Sequence, residues 1–313
     1  MNLDLRVVER RTIADGIVEL SLEAACGDAL PSWEPGSHID IQMRDGLVRQ
    51  YSLTGFAVAD TRWVVSVLRE PHSRGGSAFV HDSLEEQSSV KVSAPRNHFA
   101  LTDGPAFQFV AGGIGITPLI PMIAQLAREG REWQLFYAGR SRSSMAYLDE
   151  LTQFGDRVQI WPDDELGMPD IEQLVAATPP ETVIYSCGPE GLLAKLEEVC
   201  SGGPVKRALR TERFVAKEIE LDGPDHDIEV EFVQSGITVT VPADRSILSV
   251  AEENGVDILS SCNEGTCGTC ETPVLEGIPD HRDSVLTEDE RACGETMMLC
   301  VSRARSSSLR LDA

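Results

Sequence analysis

The sequence predicts a multidomain fold: an antiparallel β-barrel, then an α/β domain built on a parallel sheet, then a small α+β domain. Three observations carry this. Short apolar segments separated by turn residues run to about residue 101, apolar strands alternating with amphipathic segments follow, and a hairpin, a helix and a cysteine cluster fill the remainder. The length of 313 residues, about twice that of a typical domain, leaves room for two or three cores. A composition 42% hydrophobic and 25% charged is that of a globular protein and excludes a disordered or fibrous chain.

In the first domain, assigned to residues 1–102, strands are expected at 7–8, 38–41, 50–53 and 63–68, with one helical stretch at 77–84. The second, 103–214, opens with the apolar strand 107–111. A helix from Pro118 should end at Gly130, because glycine adopts the left-handed conformation that stops a helix. Strands at 134–137, 158–161 and 183–185 then alternate with helices near 147–154, 171–177 and 190–199. A polar stretch containing Gly223-Pro224 reads as a linker over 215–227. In the third domain, 228–313, Ile228, Val230 and Phe232 alternate with glutamates, Ser235-Gly236 turns the chain, and Ile237, Val239 and Val241 alternate with threonines, which is a hairpin. A helix from about Ser246 should stop at Asn254-Gly255.

The formal charge of -24 opposes nucleic acid and anionic membrane surfaces. It suits a basic partner surface, or solubility alone. From Asp225 onward, 18 acidic residues face six basic ones, so any such attraction concentrates in the third domain. No apolar run approaches the ~18 residues of a membrane span, and the first residues show no secretory signal, so the chain is expected in the cytoplasm.

Eight cysteines in a chain read as cytoplasmic point to metal or redox chemistry rather than disulfides. Cys262, Cys267 and Cys270 are separated by four and two residues, and Cys300 follows after 29 more. A C-x4-C-x2-C triplet with a remote fourth thiolate is the plant-type 2Fe-2S pattern, whereas structural zinc, the competitor, favours two short cysteine pairs. Gly265 and Gly268 let the backbone curl and free amides to face sulfur. Cys26, Cys187, Cys200 and Cys293 are left as buried free thiols.

Two further groups suggest anion and ring binding. On the strand around Arg49-Gln50-Tyr51-Ser52, Arg49 and Tyr51 share one side and Ser52 the other; a guanidinium suits a phosphate and an aromatic ring covers a flat heterocycle. Ser73-Arg74-Gly75-Gly76-Ser77 leads into a helix whose amides can converge on an anion. Ordinary surface, core and turn roles remain open for both. Gly112, Gly113, Gly115, Thr117 and Pro118 join an apolar strand to a helix, with Thr117 as a cap, but lack the G-x-G-x-x-G spacing. Cys187-Gly188-Pro189-Glu190 follows a second strand, so two loops at strand ends outline a ligand crevice. Arg140 and Arg142 follow a third strand, where they either bind a ribose 2′-phosphate or face solvent.

The R-x-Y-S tetrapeptide, the G-G-S turn and the nucleotide domain resemble the ferredoxin-NADP reductase superfamily, and residues 228–313 resemble a plant-type ferredoxin. In that order, the modules resemble the phthalate dioxygenase reductase and vanillate demethylase reductase family. The resemblance implies an antiparallel β-barrel flavin domain, an α/β parallel-sheet nucleotide domain and an α+β β-grasp ferredoxin domain. It implies FMN, NADH and a 2Fe-2S cluster. Arg49 with Gly75, Gly76 and Ser77 would hold the flavin phosphate, Tyr51 would contact the isoalloxazine, and Ser52 would lie near its N5. Gly112 to Pro118 would take the dinucleotide, Cys187, Gly188 and Pro189 the nicotinamide end, and Phe214 the flavin, with core packing as its alternative. Ser52, Cys187 and Glu190 are the residues expected to position the reacting rings. The implied acceptor is the terminal oxygenase component, Rieske-type in preference to haem, and the chain is expected to be a monomer. A non-enzymatic reading, a zinc-stabilised nucleotide-binding redox sensor, would leave the protein colourless.

Overall fold

The computed structural model describes residues 2–56, 61–71, 75–202, 207–217 and 223–313. Ser73, Arg74 and part of the expected linker, 218–222, lie outside the described residues. The chain divides into two compact units, Met1–Glu212 and Arg213–Ala313.

The first unit begins with β1 (Asn2–Ala14), β2 (Ile17–Ala24), β3 (Ser37–Gln42), β4 (Val48–Ser52), β5 (Trp63–Leu68), α1 (Gly76–Ser83), β6 (Ser89–Ser93) and β7 (Arg96–Asn97). These strands pair in the order β4-β3-β6-β1-β2-β5, with β7 also on β3. A bridge between Leu53 and Val65 joins the two ends of that order, so the sheet closes on itself as a barrel. Alternation fills its interior: Leu5 and Val7, Ile39 and Ile41, Val65 and Val67, Val90 and Val92 are all buried. β1 is far longer than the two residues expected, and register shifts near Val7 and Thr12 let it follow the barrel wall.

Next come β8 (Ala106–Gly112), α2 (Leu119–Glu129), β9 (Glu132–Gly139), α3 (Leu148–Leu151), β10 (Val158–Pro162), α4 (Asp163–Leu166), α5 (Ile171–Ala177), β11 (Val183–Cys187), α6 (Glu190–Gly202) and β12 (Leu209–Glu212). The five strands are parallel, in the order β10-β9-β8-β11-β12. β8 is central and packs on both faces: Phe107, Phe109 and Ala111 meet α2, while Val110 lies with residues of α5 and α6. Gly130 ends α2 at φ 67°, with its N–H on the carbonyls of Leu126 and Ala127. The helix expected near 147–154 instead ends at Leu151 and continues as a 3-10 turn, because Gly155 takes non-helical angles. Ile17 and Phe99 from the barrel share the core of the parallel-sheet region. Tyr147 links the two regions as well, donating to buried Glu19 at 2.8 Å.

The second unit contains β13 (Ile228–Phe232), β14 (Ile237–Val241), α7 (Ile247–Glu253), β15 (Glu271–Glu276), β16 (Pro279–Asp280), α8 (Glu288–Cys293), β17 (Thr296–Met298), β18 (Arg303–Ala304) and β19 (Ser308–Leu311). A mixed sheet, β14-β13-β19-β15-β17, shares its core with Ile247, Leu248, Val250 and Ala251 of α7. The hairpin has the expected bounds, and Ser246 caps α7 by accepting from Ser249 N–H. Cys187 and Cys200 are buried as expected, but Cys26 and Cys293 are exposed, because both stand in polar surface segments rather than on an apolar face. Among the described residues no helix is long and apolar enough to cross a membrane.

Candidate functional site

The thiols of the second unit come together from one loop and one distant turn. Cys267, Cys270 and Cys300 are buried and Cys262 is half-buried. Hydrogen bonds to Cys267 and Cys300 drive the Cys262 thiol below its usual range, and one to Cys300 lowers Cys270 against the effect of burial. Cys262 thus interacts with Cys267 and Cys300, and Cys300 with Cys270. Glu264 N–H donates to Cys262 Sγ at 3.4 Å, and Thr269 Oγ1 lies 3.0 Å from Cys267 Sγ. Among the described residues, no three His, Cys, Asp or Glu side chains are grouped as donors to a single ion. A two-iron cluster would need four terminal thiolates, two for each iron, and Cys262, Cys267, Cys270 and Cys300 supply that number.

Gly265 is required where the loop passes beneath its neighbours. Its φ is +71°, and a Cβ there would come within 2.6 Å of Val301 and 3.1 Å of Asp283 Cα. Asp283 itself is fully buried. Its Oδ1 accepts from the N–H groups of Val285 and Leu286 at 2.9 and 2.8 Å, and Ser284 N–H donates to Gly265 O at 2.8 Å. This turn ties the cysteine loop in place. Beside it, burial holds His281 below its ordinary pKa. Sequence reasoning did not single out Asp283, whose only signal is a short polar run resembling any surface turn.

In the first unit, Arg49 lies on β4 opposite Ile41, Tyr51 opposite Ile39 and Ser52 opposite His38. A Cβ on Gly76 would lie 2.6 Å from Arg49 Cγ, so the absent side chain is what lets Arg49 cross the start of α1. Gly75 caps that helix at φ 96°. The guanidinium and the first amides of α1 thus face one neighbourhood, a cradle suited to a phosphate. Ser77 Oγ instead accepts from Glu70 N–H at 3.0 Å and ties the turn together. Burial pushes the Tyr51 hydroxyl above its ordinary range, leaving it neutral.

Ser52 is buried at the end of β4, near the end of β12, where sequence reasoning overlooked Glu212. Burial pushes the Glu212 carboxyl up to about 8, with Ser52 drawing it the other way. Ser52 Oγ and Glu212 Oε2 are both sealed from solvent without a well-formed hydrogen bond among the described residues. The available signal is a carboxylate ending a strand at the end of a ligand-binding sheet.

β8 and β11 are neighbours from which the chain departs in opposite directions, the place where parallel sheets open a ligand crevice. Their loops touch. A Cβ on Gly112 would meet Pro189 at 2.5 Å, and one on Gly115 would meet Cys187 O at 2.2 Å. Gly112 and Gly115 thus serve loop-on-loop packing, while Gly113, at φ +54°, faces open space. Thr117 does not cap α2: its Oγ1 turns back to Ile114 O at 3.0 Å, and Pro118 occupies the cap position. Cys187 is buried at the end of β11, with Gly188 and Pro189 following, and Glu190 is exposed in the first turn of α6. Arg140 is exposed beyond β9. Phe214 is 46% exposed, which removes core packing as its alternative.

Comparison with known proteins matches residues 230–305 to a 2Fe-2S iron-sulfur cluster binding domain and residues 109–198 to an oxidoreductase NAD-binding domain. The chain is 42% identical over 302 residues to phenoxybenzoate dioxygenase subunit beta of Ectopseudomonas oleovorans, covering 96% of this chain and 93% of that one. It is similar to the structure of phthalate dioxygenase reductase, described as modular for electron transfer from pyridine nucleotides to [2Fe-2S], at 35% identity and TM-score 0.70 over 100% of this chain and 98% of that one. It also resembles part of an intact type IV self-sufficient cytochrome P450 monooxygenase, at 43% identity and TM-score 0.92; there it spans 41% of the longer chain.

Proposed function

Since the chain belongs to the phthalate dioxygenase reductase family and is an NAD(P)H-dependent flavin and iron–sulfur oxidoreductase serving an oxygenase, we propose that its acceptor is a Rieske-type oxygenase of the aromatic hydroxylase or O-demethylase class. Electrons enter from NADH and pass through FMN and the 2Fe-2S cluster. The dioxygenase relative matched over nearly its whole length carries the choice of acceptor. The zinc-sensor reading is displaced by the iron–sulfur match.

A bound FMN supplies the conversion of a two-electron hydride donor into single electrons, which the cluster accepts one at a time. The residues supply placement. Arg49 and the amides of Gly75 and Gly76 hold the flavin phosphate, and the neutral Tyr51 ring covers the isoalloxazine. Glu212 holds a proton on its carboxyl at neutral pH beside Ser52, and the two are assigned to the reacting edge of the ring. Open space at Gly113 admits the pyrophosphate, Thr117 and Pro118 shape the turn that follows, and Cys187, Gly188, Pro189 and Glu190 orient the nicotinamide. Cys262, Cys267, Cys270 and Cys300 hold the iron. Domain limits of 1–102, 103–214 and 228–313, a monomeric state and a cytoplasmic location complete the reading.

The test is anaerobic reduction by NADH followed by mixing with a purified Rieske oxygenase or a purified haem monooxygenase. Bleaching of the Rieske centre within the turnover time is the expected result. Reduction of the haem protein alone would overturn the choice of acceptor and favour the second reading, which the likeness to the P450 chain supports.

A further inference from the structure

Arg142 lies just beyond the carboxyl end of β9, in a short turn, Arg142–Ser144, closed by a capping box between Ser141 and Ser144. Gly139 pairs with Pro162, so β9 and β10 end level with each other. Immediately after β10, α4 brings Asp163, Asp164 and Glu165 to the same edge. Asp164 N–H donates to Arg140 O at 3.2 Å, which fastens the two segments together. Arg142 Nε donates to Glu165 Oε1 at 2.9 Å and to Oε2 at 3.2 Å.

In a parallel nucleotide-binding sheet, the end of the strand beside the first is where the adenosine ribose is read. A carboxylate there accepts from a free 2′-hydroxyl, whereas an arginine receives a 2′-phosphate. Here the arginine is present but engaged. We propose that Glu165, by occupying Arg142 and adding a third carboxylate to this edge, makes the protein select a donor with a free ribose 2′-hydroxyl over one with a 2′-phosphate. This deepens the proposed reading of the nucleotide loops and rests on it.

The local charge decides the direction. Three carboxylates, Asp163, Asp164 and Glu165, stand against two guanidiniums, Arg140 and Arg142, so an incoming phosphate dianion meets a net negative edge. Asp163 Oδ1 is buried without a partner among the described residues, and burial together with Asp164 raises that carboxyl. The edge is already crowded with negative charge. The Arg142–Glu165 pair is exposed, so its own strength is small, and its effect lies in where it holds the cation. Neutralising Glu165 leaves the edge balanced and frees Arg142 to donate to a phosphate.

The experiment is calorimetric titration of the full-length holoprotein with 5′-AMP and with 2′,5′-ADP, for the native chain, Glu165→Gln, and Glu165→Gln combined with Arg142→Gln. The native chain should favour 5′-AMP. In Glu165→Gln the affinity ratio should move about tenfold toward 2′,5′-ADP, the size expected of one partly solvated hydrogen bond to a charged group, and the second substitution should cancel the gain. The ratio of kcat/KM for NADH and NADPH should move in parallel. A native chain that binds 5′-AMP while Glu165→Gln leaves the ratio unchanged overturns this inference alone. A gain that survives loss of Arg142 overturns it too. Failure of the native chain to bind 5′-AMP overturns the nucleotide reading and this inference with it.

Discussion

The two units build their sites in opposite ways. In Arg213–Ala313, three of the four cysteines assigned to the cluster come from nine consecutive residues, and the loop's shape is set locally by Gly265 and Gly268 in left-handed conformation. In Met1–Glu212, the residues assigned to flavin and nucleotide come from β4, the start of α1, the ends of β8, β9 and β11, and the last residue of β12. A metal centre demands several strong donors of one type at short range, which concentrates it in sequence. A large planar coenzyme is held by many weak contacts spread along its length, which disperses its site.

This contrast can be broken most decisively at the cysteines. Cys270→Ser should remove essentially all iron and acid-labile sulfide from the purified protein, while NADH still reduces a small two-electron dye at the flavin. Cys293→Ser, outside the ligand set and exposed, should keep the full iron content. Loss of iron in both would show that the ligand set is wrong.

The dispersed site is next, and there a backbone clash should act like a lost ligand. Gly115→Ala places a Cβ 2.2 Å from Cys187 O. It should destabilise the chain by about 1–3 kcal/mol in urea unfolding and raise the KM for NADH severalfold, by spreading the two loops. Gly113→Ala, with open space but a left-handed φ, should cost less stability, about 1 kcal/mol.

Asp283 tests whether the compact site also leans on distant residues. Asp283→Ala leaves the Val285 and Leu286 amides without their acceptor, for a loss of about 1–3 kcal/mol in unfolding. Cluster release on mild heating should accelerate in step. A variant that unfolds earlier but holds iron as tenaciously as the native chain would confine Asp283 to the fold.

The remaining comparison is the pH dependence of Glu212. Its carboxyl is raised to about 8 by burial, so the folded chain binds a proton that the unfolded chain has already released. Stability should therefore fall as pH rises from the ordinary carboxyl range to about 8 and level off above it. Glu212→Gln should remove that slope and flatten the alkaline limb of NADH oxidation. Alongside it, a rate of transfer to the oxygenase that is indifferent to salt would dismiss electrostatic steering by the acidic second unit.

Periodicity made much of this fold legible. The 228–232 and 237–241 hairpin, the 171–177 helix and the Gly130 stop follow from alternation, a 3.6-residue repeat and one positive φ, all local properties. Failures of that reading were also physical. Thr117 looked like a cap because only its neighbours along the chain were visible, yet its hydroxyl turns back to Ile114. The glycines of 112–115 are a different case: read as room for a pyrophosphate, two of the three also accommodate the β11 loop, a contact no local pattern shows.

By itself, the sequence picked out the four cysteines assigned to the cluster, the three-module order and the helices and strands whose side chains repeat with a clear period. Those depend on residues that are neighbours in the chain. Only the tertiary structure placed Glu212 beside Ser52, Asp283 beneath Gly265, and Glu165 on Arg142. Each of these joins segments that meet after folding, and burial or charge at such a meeting point is a property of the packed molecule that no local pattern encodes.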